Sequence, residues 1–385
     1  MMLPWKNLSR FCSKFIKQPQ YAIHVASKRL QAFVSHSIGK GTSPTPEAIT
    51  LFLTYKCNLR CKMCGQWGES GVTKTKAKDD VKEQLSFSDL KKLIDSVSFF
   101  KPSITLFGGE PLLYPNCIEL IRYIKQKGMH VLMITNASML KGRAAELAQA
   151  GLDELNVSLD GGEKLHDTIR GMEGLFKNIT DGLKELKSYK QKKGLKKPLV
   201  NLQCTITKYN YLNLEEFLDV ALDIGANSLT FHNLIFLGND LIEKQKYYDE
   251  QLQCSSDGWK GFVFTPEIDP EILFTVIQKI KSRKTLFAID FYPNFSQKGL
   301  KEYYNNPSYL PSEYPRRCLS PWVCAYVFPD GDVRPCLNST YAFGNINRDE
   351  FTTIWNSEKA VKFRGLLKKS ELFPACVRCT ELYRY

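Results

Sequence analysis

The sequence contains no unbroken apolar run of about 18 residues, which argues against a membrane-spanning helix. Its first residues lack the apolar core and small-residue cleavage site of a secretory signal. No nucleic-acid-binding signature occurs. The formal net charge of +13, from 53 Lys and Arg against 40 Asp and Glu, therefore points to anionic lipid or an acidic substrate. Evenly spread cysteine is also missing. The 12 Cys are many for 385 residues, but they cluster, which argues against the disulfide framework of a secreted protein. A reducing, cytoplasmic setting is expected. Hydrophobic content of 43% and charged content of 24% are ordinary for a soluble protein, and the length allows one large domain plus a smaller one.

What is present starts with Cys57, Cys61 and Cys64, spaced C-x3-C-x2-C after an apolar run at 49–55. Soft thiolates select iron–sulfur clusters or zinc. A structural zinc site closes with four ligands, and no fourth Cys or His lies nearby. An iron–sulfur cluster can leave one iron open.

Residues 1–45 read as a basic amphipathic helical extension. Trp5, Leu8, Phe11 and Phe15 recur at helical spacing, with Lys6, Arg10, Lys14 and Lys17 between them. Either this face packs on the protein as an extra helix, or residues 1–38 touch a membrane surface. Residues 46–235 alternate strands (49–55, 103–107, 130–135, 154–159, 199–206, 228–234) with helices (88–98, 116–127, 142–150, 174–190, 214–225), the pattern of six parallel βα units. Residues 68–85 read as a surface loop. Residues 236–315 read as a connecting or capping segment, irregular over 236–268 apart from a glycine pair around Trp259, with a helix over 270–281. Residues 316–385 contain a hairpin with an Asp330-Gly331 turn and a helix over about 350–368.

Polar residues gather at the carboxyl ends of the expected strands. Gly108-Gly109-Glu110-Pro111 follows the second, and Thr135-Asn136 ends the third. In the fourth, Asn156, Ser158 and Asp160 share one face. In the fifth, Asn201, Gln203 and Thr205 share one face, while Cys204 reads as a core thiol. Gln203, Thr205 and His232 are substrate candidates, with a structural histidine as the alternative for His232.

The cysteine triplet and these elements resemble the radical S-adenosylmethionine (radical SAM) superfamily. The resemblance implies an α/β fold, a partial (β/α)6 TIM-type barrel. It implies a [4Fe-4S] cluster on Cys57, Cys61 and Cys64, with SAM chelating the fourth iron. It implies SAM contacts from Gly108, Gly109, Glu110 (supporting or direct), Asn136, Ser158, Asp160 and Arg170, the last reaching the SAM carboxylate. Met63 stands where the family usually has an aromatic residue. Residues 316–380 resemble the SPASM/twitch region in its shorter form, since the chain ends soon after Cys379. That implies an auxiliary [4Fe-4S] cluster on Cys318, Cys336, Cys376 and Cys379, with zinc on the same four as the rival. Cys12, Cys117, Cys254 and Cys324 are expected to be packing residues.

The implied activity is reductive cleavage of SAM to a 5′-deoxyadenosyl radical, fed by an external electron donor of flavodoxin or ferredoxin type. The radical takes a hydrogen from a substrate. Oxidation, as a dehydrogenation, of a small-molecule, sugar or lipid-linked substrate is expected, with the auxiliary cluster accepting an electron. The alternatives are a SPASM-type peptide-modifying enzyme, for which 45 leading residues are few, and a non-enzymatic iron–sulfur or zinc scaffold.

Overall fold

The computed structural model describes residue 15 and residues 18–310 and 312–385. The apolar run Ala48–Phe52 forms β1, buried along its whole length. A parallel sheet continues through β2 (Ser103–Phe107), β3 (Val131–Thr135), β4 (Glu154–Ser158), β5 (Leu199–Thr205) and β6 (Ser228–His232). These are the six expected strands, each within about two residues of its expected bounds apart from β1, which ends three earlier. Alternate positions in β3 to β6 are buried against helices, and the intervening ones are half-buried on the concave face.

The covering helices are α2 (Phe87–Val97), α3 (Cys117–Gln126), α4 (Ala144–Gln149), α5 (Glu163–Arg170), α6 (Leu175–Lys193) and α7 (Glu216–Ile224). Helix α2 shows the local logic. Ser86 caps it by accepting from Asp89 N, and Leu90, Leu93, Ile94 and Val97 form its buried stripe. Each such side chain stabilises the fold by about 1.5–3 kcal/mol.

Several features differ from the expectation. First, the span 236–315 carries more than a connection. Besides the expected helix α9 (Pro270–Ser282), it holds α8 (Asn239–Leu252) and α10 (Gln297–Asn305), and its strand β7 (Ala288–Tyr292) pairs in parallel with β6. The barrel wall therefore has a seventh strand. Second, β8 (Cys324–Val327) pairs in parallel with β1, so the C-terminal hairpin continues the same sheet through β9 (Asp332–Arg334) and β10 (Gly344–Asn345). Third, the long C-terminal helix is two, α11 (Phe351–Trp355) and α12 (Glu358–Lys369). Ser357 starts the second by accepting from Ala360 N. The loop after the cysteine triplet is also shorter than expected. It is tied back by Val72 N to Gly65 O (3.0 Å) and Thr73 N to Gln66 O (2.9 Å), and a short helix follows at Lys78–Lys82.

Helix α1 (Pro19–Ile38) closes the foot of the barrel. Arg29 pairs with Glu47 just before β1 (2.7 Å), Tyr21 donates to Ser103 at the start of β2 (3.3 Å), and the Tyr21 ring stacks on His130 before β3 (4.1 Å). For residues 19–38, then, packing on the barrel is the reading that holds, although Ile23, Leu30, Val34 and Ile38 keep an exposed apolar stripe outside. The residues carrying Trp5, Leu8 and Phe11 lie outside those described. Among the described residues no helix is long and apolar enough to cross a membrane.

Candidate active site and auxiliary thiol site

The loop carrying Cys57, Cys61 and Cys64 leaves the carboxyl end of β1. Cys64 N donates to Cys61 O (3.1 Å), Gly68 N to Cys64 O (2.8 Å), and Lys62 N to Ile169 O on α5 (3.0 Å). Each thiol meets a donor. Cys57 Sγ accepts from Leu59 N (3.5 Å) and Asn136 Nδ2 (3.8 Å), Cys61 Sγ from Arg170 Nη1 (3.7 Å), and Cys64 Sγ from Trp67 N (3.4 Å). Such donors favour a negatively charged sulfur. Burial opposes them. It pushes Cys57 up to about 11 and raises Cys61, where the Arg170 charge pulls back. Cys57 and Cys61 would therefore lose their protons to a bound metal centre rather than to water. Three sulfurs on one short loop fit a [4Fe-4S] cluster with an open iron.

The Gly108-Gly109-Glu110 turn lies against the chain just before Cys57. Gly109 N donates to Thr54 O (2.7 Å) and Glu110 N to Lys56 O (2.9 Å). A Cβ at position 109 would fall 2.2 Å from Lys56 O, so this approach requires glycine. Glu110 is fully buried and accepts from Leu112 N (3.0 Å), Thr135 Oγ1 (2.7 Å) and Asn136 N (2.8 Å). Burial raises its pKa, and the three donors pull it back. Buried and bonded in this way, Glu110 braces the ends of β2 and β3 and holds Asn136 over Cys57.

Asp160, expected at the SAM site, is fully buried, and its two oxygens serve Arg170 Nε (2.5 Å) and Thr205 N (2.9 Å). It positions Arg170, which spans Asp160 and Cys61. Ser158 stays half-buried on the concave face.

Behind this pair, Asp160 N donates to His166 Nδ1 (3.1 Å), which requires an unprotonated Nδ1, and burial lowers the ring to about 4. Below pH 6.5 the unfolded chain takes up a proton that the folded chain refuses until about pH 4. Stability is thus expected to fall by up to about 3 kcal/mol across that window. Urea unfolding at stepped pH checks this. His166→Asn, which keeps an acceptor without a titrating ring, should flatten the curve, and an unchanged curve would refute the assignment.

The concave wall is polar. Asn201 Nδ2 donates to Glu154 Oε2 and Asn156 Oδ1 (3.1 Å each), and Ser228 Oγ to Asn201 Oδ1 (2.8 Å). Higher up, His232 Nε2 donates to Gln203 Oε1 (2.6 Å), with half-buried Thr205 on the same wall. The structure brings all three substrate candidates together, two of them as a bonded pair. The His232 ring meets Tyr292 edge-on at 5.8 Å, and the Tyr292 hydroxyl donates to Thr380 O, next to Cys379. Tyr292 carried no signal in the sequence, because β7 itself was missed.

Cys318, Cys336, Cys376 and Cys379 line one cavity. Burial, reinforced by the neighbouring thiols, pushes Cys336, Cys376 and Cys379 up to about 12 and Cys318 well above its usual value. Cys254 packs against the core as expected and also lines this cavity. Cys117, Cys204 and Cys324 are buried in the core as expected. Among the described residues no three His, Cys, Asp or Glu side chains converge as for a single metal ion. Arg378, between the last two cysteines, donates to Tyr303 O (2.8 Å) and Asn306 O. It thereby caps α10 and fixes the cysteine loop to the barrel. An open depression of about 640 Å³ beside Lys141, Asp181 and Glu185 lies on the outer helices and carries none of these cysteines.

Residues 51–224 match the family model described as the radical SAM superfamily, and residues 318–380 match the iron–sulfur cluster-binding SPASM domain, together more than half of the chain. A "Tungsten-containing aldehyde ferredoxin oxidoreductase cofactor-modifying protein" of Pyrococcus furiosus is 25% identical, covering 86% of each chain. An "AdoMet-dependent heme synthase" of Methanosarcina barkeri is 28% identical, covering 87% of this chain and 88% of its own. Streptococcus suis SuiB bound to S-adenosylmethionine superposes with a TM-score of 0.60 at 14% identity, over 93% of this chain and 78% of SuiB. Bound to precursor peptide SuiA, SuiB gives a TM-score of 0.58 at 15% identity, over 90% of this chain and 71% of SuiB. With its cysteine loop at the mouth of a parallel barrel and its closing thiol cavity, this chain belongs to the radical SAM superfamily and carries a SPASM-type iron–sulfur region.

Proposed function

We propose that this radical SAM enzyme oxidises a small organic substrate held on the polar wall of the barrel, in a dehydrogenation that uses the auxiliary site as electron acceptor. When bound, the first cluster and SAM supply a radical that removes a substrate hydrogen atom, and the second cluster supplies an acceptor for the electron left behind. The wall at Gln203, Thr205 and His232 orients the substrate. Asn136, Ser158 and Arg170 hold SAM beside the triplet. One observation carries the reading: the His232–Tyr292–Thr380 contact runs from that wall to the residue after Cys379. Cys318, Cys336, Cys376 and Cys379, all on the auxiliary cavity, are enough to ligate a cluster fully, which favours electron transfer over direct binding of substrate. An external one-electron donor of flavodoxin or ferredoxin type completes the cycle.

Full-length relatives named for a cofactor and for heme support a small substrate. The SuiB likeness supports the peptide reading at the level of fold alone. Against that reading, the described part of the leading segment packs as α1 at the foot of the barrel, away from the mouth. The exposed stripe on α1 leaves that face open to a membrane surface.

Cys376→Ala tests the proposal. SAM should still be cleaved slowly without productive turnover, and iron content should fall by about half. With a deuterated substrate, the label should still reach 5′-deoxyadenosine while no oxidised product forms. Product at the parent rate would remove the acceptor role.

A further inference from the structure

The turn Asp257–Phe262, between α8 and α9, touches both thiol sites. At one end it meets the loop of Cys57, Cys61 and Cys64. The Phe262 ring fills the space beside Gly65, the residue after Cys64, where a Cβ would lie 2.4 Å from Phe262 Cζ. Gly261 meets the same residue backbone to backbone, since its own Cβ would fall 2.0 Å from Gly65 O. Neither approach is open to any residue but glycine. At the other end, a Cβ at Gly258 would lie 2.8 Å from Asn338 Cα, two residues after Cys336. Thr340 N donates to Ser255 O, and Ser255 N to Thr340 Oγ1, both at 2.8 Å.

Between these ends stands Trp259. It is buried with Ala375 and Val377, beside Cys379, and it lines the auxiliary cavity. Its ring lies 5.8 Å from that of Phe262. Leu237 N donates to Phe262 O (2.8 Å), which anchors the turn to the chain leaving β6. The glycines flanking Trp259 thus have a physical reason: each lets backbone touch backbone at one of the two sites.

We propose that Asp257–Phe262 is a strut through which filling of the auxiliary site orders the cysteine loop at residues 57–72. Filling the auxiliary cavity presses Trp259 into one position, and the short turn carries that restraint to Gly65. Packed side chains transmit such restraint because they have few alternative arrangements. The coupling is reciprocal, so an ordered loop also favours a filled cavity.

The proposal rests on both thiol sets holding clusters, and iron and sulfide counts on the parent protein test that premise separately. The experiment is hydrogen exchange on the loaded full chain, read at peptides within 57–72. Cys376→Ala with Cys379→Ala should speed exchange there by about tenfold. Phe262→Ala, with all cysteines intact, should give the same loosening while auxiliary iron is retained. The combined variant should be no faster than either alone, since both cut one connection. Trp259→Phe, a milder change at the other end, should loosen the loop by less and serves if Phe262→Ala loses iron. Unchanged exchange after loss of the auxiliary cysteines, or effects that add in full, would overturn the strut.

Discussion

Changing Cys61 to alanine is expected to abolish 5′-deoxyadenosine formation and to leave the auxiliary iron in place. Of the three loop thiols, Cys61 is the buried one, and it alone receives the Arg170 guanidinium. Its loss removes a cluster ligand and also leaves a buried cation facing a void. With two sulfurs remaining, the loop cannot complete the three-thiolate set that leaves one iron open. The auxiliary thiols come from residues 318–379, and they are held by contacts that do not pass through Cys61. The measurement is iron and sulfide content with a SAM-cleavage assay after chemical reduction under anaerobic conditions. About half of the iron and no 5′-deoxyadenosine are expected. Retained cleavage would overturn the assignment of the triplet.

Asp160→Ala is expected to cost about 3–5 kcal/mol of stability, because it strands a buried charge. Arg170 keeps 9% of its surface, and its ion pair with Asp160 closes at 2.5 Å. Removing the carboxylate also takes the acceptor from Thr205 N, which loosens the join between β4 and β5. Asp160→Asn keeps an acceptor and should lose less. The paired change Asp160→Ala with Arg170→Met should recover most of the loss, since no unpaired charge remains. Urea unfolding of the parent, Asp160→Ala, Arg170→Met and the paired variant provides the cycle. A loss under about 1 kcal/mol for Asp160→Ala would put this pair among weak surface bridges and remove its positioning role.

Much of the barrel was legible because its signals are local. The first six strands are short apolar or alternating runs between turn residues, and the helices between them carry stripes such as Leu90, Leu93, Ile94 and Val97. Strand β7 was not legible. Its five residues place Asp290 at the centre, and only pairing with β6 makes them a strand. Helix α8 was hidden in the same way, since it buries few residues and is otherwise polar. The split at Asn356 and Ser357 was visible only through the cap that Ser357 forms.

By itself, the sequence determined the chemistry: three thiols at one spacing, four more at the other end, and polar residues at the strand ends. Ligand identity and strand periodicity are properties of neighbours along the chain, so spacing reveals them. The tertiary structure alone decided which polar groups stay half-open on the concave wall and which are buried as braces. It turned Asp160 toward Arg170 and Glu110 toward Asn136. It also brought Tyr292 against Thr380 and Phe262 against Gly65. Those contacts join residues about 90 to 200 positions apart, and only packing of the whole barrel brings them together.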